Sequence, residues 1–248
     1  MARQADSSIG AGGGPATDPV ARVMGLAAFV LVGTVLAVLA YALWVGVVLP
    51  KTPRTALEMQ LSTLEQVVAQ NPRDPKVWAQ YADALIQTKQ YSKAATVIEQ
   101  GRKALPGQTS LLTVEEAYMA HLRGLNGDAL RLYDKATAQA QAERKKKLEE
   151  LKAKGIISAP EAPAIISAGV GKGDLLLEMR RWADAAGAYS KALEEDPRMS
   201  DVLVRRGDAY LELKDYAKAR ADFESALTFI PDYKDARAGL EKLKAVGK

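Results

Sequence analysis

Three places in this sequence carry residue types associated with chemistry, and each fails on spacing or surroundings. Gly169-Val170-Gly171-Lys172-Gly173-Asp174 has the glycines and lysine of a phosphate cradle. Such a loop needs a glycine five residues before Gly-Lys, a hydroxyl residue after it, and a preceding strand. Ile166 and Gly173 occupy those two places. His121 is the single histidine, too few for a histidine metal cage, and Ser-His-Asp chemistry has no other base to draw on. Glu149 and Glu150 lie in a charged run, with no apolar pocket to raise a carboxyl pKa for general-acid work. The chain has no cysteine, which excludes disulfides, thiolate metal sites and thiol nucleophiles. No enzyme, no cofactor and no metal site is expected.

What, then, do the remaining residues build? Of 248 residues, 34 are Lys or Arg and 30 are Asp or Glu, a net charge of +4. The two signs are mixed throughout, so no basic arm or stripe for nucleic acid is present. With only three Phe and three Trp, the apolar content is mainly Ala and Leu beside Glu, Lys and Arg. That is the mixture of helices packed through small residues.

From Val23 to Leu49, 27 residues carry no charged side chain. A run this long predicts a lipid-spanning helix, rising roughly 40 Å against a hydrocarbon core of about 30 Å. Tyr41 and Trp44 stand toward its far end, where amphipathic rings favour the headgroup layer, and Pro50 and Pro53 stop it. The run is too long for a cleaved signal peptide, although Ala40-Tyr41-Ala42 loosely fits a cleavage site. Residues 1–22, with Gly10, Gly12, Gly13, Gly14 and Pro15, are read as a disordered tail. Arg3 and Arg22 before the span match Lys51 and Arg54 after it, so flanking charge does not orient it. A short tail before an uncleaved anchor usually stays inside. The expectation is a single-pass protein of a bacterial inner (cell) membrane, N-terminus cytoplasmic and the rest extracytoplasmic.

Beyond Pro53 the sequence repeats. Arg181-Trp182-Ala183-Asp184-Ala185 through Leu193 and Pro197 matches Asp215-Tyr216-Ala217-Lys218-Ala219 through Leu227 and Pro231, 34 residues later. Gln90-Tyr91-Ser92-Lys93-Ala94, with Ile98, Gly101 and Pro106, follows the same design. These residues resemble the tetratricopeptide repeat, whose 34-residue unit is a pair of antiparallel helices. The family wants large, small and large residues at places 4, 8 and 11, then Ala, aromatic, Ala and Pro at 20, 24, 27 and 32. Unit 75–108 supplies Trp78, Ala82, Leu85, Ala94, Ile98, Gly101 and Pro106. Unit 200–233 supplies Leu203, Gly207, Tyr210, Ala219, Phe223, Ala226 and Pro231. Unit 166–199 supplies Gly173, Leu176, Ala185, Tyr189, Ala192 and Pro197, with Gly169 at the fourth place. A degenerate unit from Ser110 has Ala117, Ala129, Tyr133 and Ala136 but no closing proline.

The resemblance implies an all-α fold: a tetratricopeptide-type α-solenoid of antiparallel helix pairs, preceded by one transmembrane helix. Residues 50–74 are read as a linker and N-terminal capping helix, 75–143 as repeats 1 and 2, and 166–233 as repeats 3 and 4. Residues 234–248 form a C-terminal capping helix, since end units need a polar outer face. Between the halves lies an insertion at 144–165. There the second helix of the degenerate unit is expected to run from Asp128 to about Lys154, with Gly155 as its cap. Its charged tip reads as a solvated helix or, more sharply, as a docking arm or a contact for anionic lipid.

In the family, places 2, 5, 9, 12 and 13 tend to face a groove that holds partner segments. Place 9 is Asp83, Asp174 and Asp208; place 12 is Ile86, Leu177 and Leu211; place 13 is Gln87, Glu178 and Glu212. The implied groove has apolar strips flanked by carboxylates and suits another protein's segment carrying Lys or Arg beside apolar anchors. The family's clamp for terminal carboxylates uses Asn at place 9, where this chain has Asp, so an acidic tail is a poor fit. The expected role is a membrane-anchored scaffold or adaptor that tethers or assembles a protein complex. The alternative is a chaperone-like holdase for substrates leaving a translocon. Oligomeric state is open, and the lipid bilayer is engaged through Val23–Leu49.

Overall fold

The computed structural model describes residues 32–41 and 55–247, and the chain divides into two compact units, Met1–Arg54 and Thr55–Lys248. In the first unit residues 32–41 form a helix, α1, with exposed side chains. The rest of the expected span Val23–Leu49, and the tail 1–22, lie outside the described residues. Among the described residues no helix is long and apolar enough to cross a membrane.

The second unit is ten helices, with no strand among its described residues: α2 (Ala56–Gln70), α3 (Pro75–Gln87), α4 (Tyr91–Ala104), α5 (Ser110–Leu122), α6 (Asn126–Ala153), α7 (Pro163–Glu178), α8 (Trp182–Glu195), α9 (Ser200–Glu212), α10 (Tyr216–Phe229) and α11 (Lys234–Ala245). Apart from the nine-residue connector 154–162 between α6 and α7, consecutive helices are joined by short turns and pack antiparallel, each pair stacking on the next. Sequence chemistry sets several boundaries. Thr55 and Glu58 form a reciprocal cap on α2, and Asp74 caps α3 with Pro75 at the first helical place. After α4, α8 and α10, Pro106, Pro197 and Pro231 prevent continuation.

The repeat residues are the core. Ala82, Ala94, Ala117, Ala129, Ala136, Ala185, Ala192, Ala219 and Ala226 are completely buried, together with Tyr133, Tyr189 and Phe223. The small residue at place 8 faces the large one at place 24. A Cβ on Gly173 would strike the Tyr189 ring, and one on Gly207 would lie 2.6 Å from Phe223. Close approach also accounts for Gly169 at a place that wants bulk. A Cβ there would come within 3.0 Å of the Ala188 carbonyl, so α7 and α8 touch nearly backbone to backbone.

The first helix of every pair ends the same way. Lys89, Gly124, Arg180 and Lys214, each fifteenth in its unit, have φ of 58°, 74°, 57° and 60°. The following N–H groups donate back to carbonyls of the last turn: Gln90 to Leu85 at 2.8 Å, Leu125 to Ala120 at 2.9 Å, Arg181 to Leu176 at 2.8 Å and Asp215 to Tyr210 at 2.9 Å. This is the Schellman closure, which favours glycine because a left-handed side-chain-bearing residue costs about 1 kcal/mol. Lys214→Gly is therefore expected to raise stability by about 0.5–1 kcal/mol, and Gly124→Lys to lower it by a similar amount. Urea unfolding followed by helical circular dichroism measures both, and equal midpoints for Lys214→Gly and the parent would count against this reading of the turn.

The insertion is more tightly held than its charge suggests. The Glu143 carboxylate accepts from the Thr109 N–H at 2.7 Å, the Ser110 N–H at 3.0 Å and the Ser110 hydroxyl at 2.5 Å, capping α5 from 33–34 residues away. Next to it Arg144 donates to both oxygens of Glu195 at 2.7 and 2.8 Å. Only the nine residues of α6 after Arg144 extend further, roughly 14 Å of helix. Gly155, φ 72°, closes α6. The next helix starts at Pro163, three residues before the expected repeat boundary at 166, because proline at the first helical place starts a helix rather than prolonging a connector.

Candidate partner-binding face

The first helices of the pairs lie side by side: α3 against α5, α5 against α7, and α9 against α11. Between α7 and α9 the link is ionic, Arg205 donating to both oxygens of Asp174 at 2.8 and 2.7 Å. This face is where the expected binding residues were placed, and they do not share one environment.

Toward the C-terminal end the carboxylates are already matched. Asp174 also accepts from the Tyr189 hydroxyl at 2.7 Å. Asp208 has Lys242 at 3.5 Å, which works against the burial that raises its pKa. Glu178 meets His121 Nε2 at 2.9 Å. Glu212 is exposed and Leu177 and Leu211 are half-buried against the C-terminal core. An open anionic strip along the whole face is therefore a correction to make: neighbouring units supply Arg205, His121 and Lys242 to three of its acids. Ile86 is a second correction. It is completely buried with Trp78, Leu85, Ile98 and Leu112, because α3 is packed on both sides, by α2 and α5.

The N-terminal end differs. Asp83 accepts only from the Gln87 amide, at 2.7 Å. Glu115 of α5, absent from the family's groove places, faces Asp83 with no ion pair or hydrogen bond among the described residues. Burial, reinforced by Asp83, lifts its carboxyl pKa to about 8. Although part of its surface remains accessible, the atoms crowding it are mostly protein. A cavity of about 230 Å³ opens here, lined by Lys76, Gln80, Asp83, Leu111, Glu115 and Pro163. Lys76 points its charge to Glu161 at 3.5 Å instead. Tyr118 and Tyr133 stand near, their hydroxyls made harder to ionise first by burial, then by Asp83 and Glu115 for Tyr118 and by Glu115 and Asp174 for Tyr133. The N-terminal end is thus a recess walled in part by Ala79, Leu111 and Pro163, with two acids and, among the described residues, no cation paired with them.

The glycine-lysine run is structural. It lies inside α7, where a Cβ on Gly171 would lie 2.6 Å from the Tyr133 hydroxyl oxygen, and Lys172 pairs with Asp134 at 2.5 Å. Among the described residues no cluster of His, Asp and Glu has the arrangement of a metal site.

The tetratricopeptide repeat family model matches residues 61–114 and again 170–234. No curated protein matches the chain. Among solved structures, BtubC from P. vanneervenii is 16% identical with a TM-score of 0.52, over 77% of this chain and 91% of that one. TTC0263, a thermophilic TPR protein of Thermus thermophilus, is 16% identical with a TM-score of 0.50, over 85% of this chain and 96% of that one. These two likenesses are of fold. In sequence and in architecture the chain carries tetratricopeptide repeats, modules that mediate contacts between proteins.

Proposed function

We propose that this chain is a membrane-held interaction scaffold whose N-terminal recess takes a partner segment bearing a lysine or arginine beside an apolar anchor. The observation that carries the reading is the pair Asp83 and Glu115, facing a cavity between α3, α5 and α7 whose one lining cation, Lys76, pairs with Glu161 instead, so that among the described residues no cation pairs with either acid. A cationic side chain would supply the missing charge, and Ala79, Leu111 and Pro163 the apolar contact. The role is tethering or assembling a protein complex at the membrane, supported by the charge-free run Val23–Leu49. By the same reading the membrane is a bacterial inner membrane and the repeats face away from the cytoplasm.

The test has two parts. Pull-down from crosslinked membranes should give one stoichiometric complex that Asp83→Asn with Glu115→Gln disrupts; a broad set of unfolded clients would favour a holdase. The second part is pH. Free Glu115 is protonated below about 8 and must ionise to hold a cation, so partner affinity is expected to rise with pH through about 8. Glu115→Gln should flatten that profile and weaken binding above it by roughly 10- to 100-fold, the worth of a charged hydrogen bond. Stability has the opposite sign. With a folded pKa above the ordinary 4.5, Glu115 leaves stability intact below 4.5 and erodes it as pH rises toward about 8. Glu115→Gln should remove that loss.

A further inference from the structure

The turns that join first to second helices all lie on one edge of the solenoid, because the pairs are antiparallel and stack in register. Thr55, the start of α2, lies on the same edge, since α2 runs antiparallel to α3 and is joined to it by a short turn at the other edge. The edge has a repeated composition. Each turn presents one cation with no ion pair among the described residues: Lys89, Arg123, Arg180 and Lys214. Exposed apolar side chains stand beside them: Leu57, Leu122, Leu125, Met179 and Leu213. Acids on this edge are mostly engaged, Asp128 by Arg131, Asp184 by Arg181 and Asp215 by Lys218, and Glu178 faces His121. Among the described residues Glu212 has no paired cation.

We propose that this edge lies against an anionic lipid surface. Charge complementarity selects that occupant. Cations interleaved with exposed Leu and Met suit the headgroup layer, where the charge meets phosphate and the apolar groups enter the acyl boundary. The inference rests on the membrane-held reading. The charged end of α6, with Ile156 and Ile157, is at the opposite edge of the stack, beside the starts of α5 and α7. The Asp83–Glu115 recess then stays open to a partner.

The absence of cysteine permits a clean test on the full chain. A polarity-sensitive fluorophore is placed on Leu213→Cys, or on Ile157→Cys at the far edge, in phosphatidylcholine vesicles with and without phosphatidylglycerol. At Leu213 the emission is expected to move to shorter wavelength, and to be quenched by spin-labelled lipid, only in the anionic vesicles; at Ile157 it stays water-exposed. Lys89→Gly, Arg180→Gly and Lys214→Gly remove three cations while relieving left-handed strain, so loss of contact cannot come from unfolding. Each should lower the docked-to-free ratio about fivefold. Flotation after alkaline wash of the same samples reports the anchor separately. Alkaline-resistant chain with an unshifted Leu213 probe overturns the edge and leaves the anchor; an extractable chain with a shifted probe does the reverse. A Leu213 probe that stays wet in both vesicles, or shifts equally in both, overturns the inference.

Discussion

Replacing Arg206 by Ala is expected to cost the fold about 3 kcal/mol, the lower end of the range for breaking a buried ion pair. Arg206 on α9 donates to both oxygens of Asp222 on α10, at 2.8 and 2.7 Å, and to the Ser190 hydroxyl on α8 at 2.9 Å. Its side chain is 21% exposed and that of Asp222 only 8%. The asymmetry decides the direction of the series. Without Arg206, Asp222 is left a largely buried charge without its ion-pair partner. Without Asp222, Arg206 can turn its longer side chain outward, so Asp222→Ala should cost less, about 1–2 kcal/mol. The double variant Arg206→Met with Asp222→Leu should recover most of the loss, since apolar side chains of similar bulk often replace a buried pair without penalty. Urea unfolding of the single and double variants gives the coupling energy directly. Equal losses for the two single variants would mean that the pair is better solvated than its burial suggests.

The pair also shows what a sequence exposes and what it hides. Residues whose role is fixed by their own repeat were legible: Ala82, Ala117, Tyr189 and Phe223 pack where a 34-residue register puts them, because each repeat buries the same face of the same two helices. Residues whose role depends on another unit were not. Nothing beside Asp174 announces Arg205, 31 residues on, and Asp174 looked free for a partner. Glu143, read as part of a solvated tip, is the cap that α5 lacks in its own sequence. The left-handed turns were half visible. Gly124 and Gly155 signal them, but Lys89, Arg180 and Lys214 give no hint, since lysine and arginine rarely take a positive φ. Ile86 and Glu115 were hidden for the same reason: how far a first-helix residue is buried is set by the helices packed against it, which its own unit does not contain.

Phe223→Ala is expected to cost about 3–5 kcal/mol, and its cavity should not close. The ring fills the gap between α9 and α11, where the opposing walls are Gly207 and Gly239; a Cβ on Gly239 would lie 2.5 Å from the ring. Glycine walls have no side chains to relax inward, so nearly all of the lost volume stays empty. The same geometry predicts a reversal of sign. With Phe223 present, Gly239→Ala should destabilise by about 1–2 kcal/mol, because overpacking outweighs a helix-propensity gain of about 1 kcal/mol. In the Phe223→Ala background the obstruction is gone, and Gly239→Ala should stabilise by about 1 kcal/mol. Unfolding midpoints of the four proteins measure the cycle, and additivity would refute the packing account. The functional consequence is also directional. Loss of α11 frees Asp208 from Lys242, but stability in a stacked repeat is transmitted only to neighbours. Partner binding at Asp83 and Glu115, at the far end of the stack, should therefore survive at temperatures where hydrogen exchange shows α9 to α11 already open. Simultaneous loss of both would mean that the stack opens as one cooperative unit, against neighbour-only transmission.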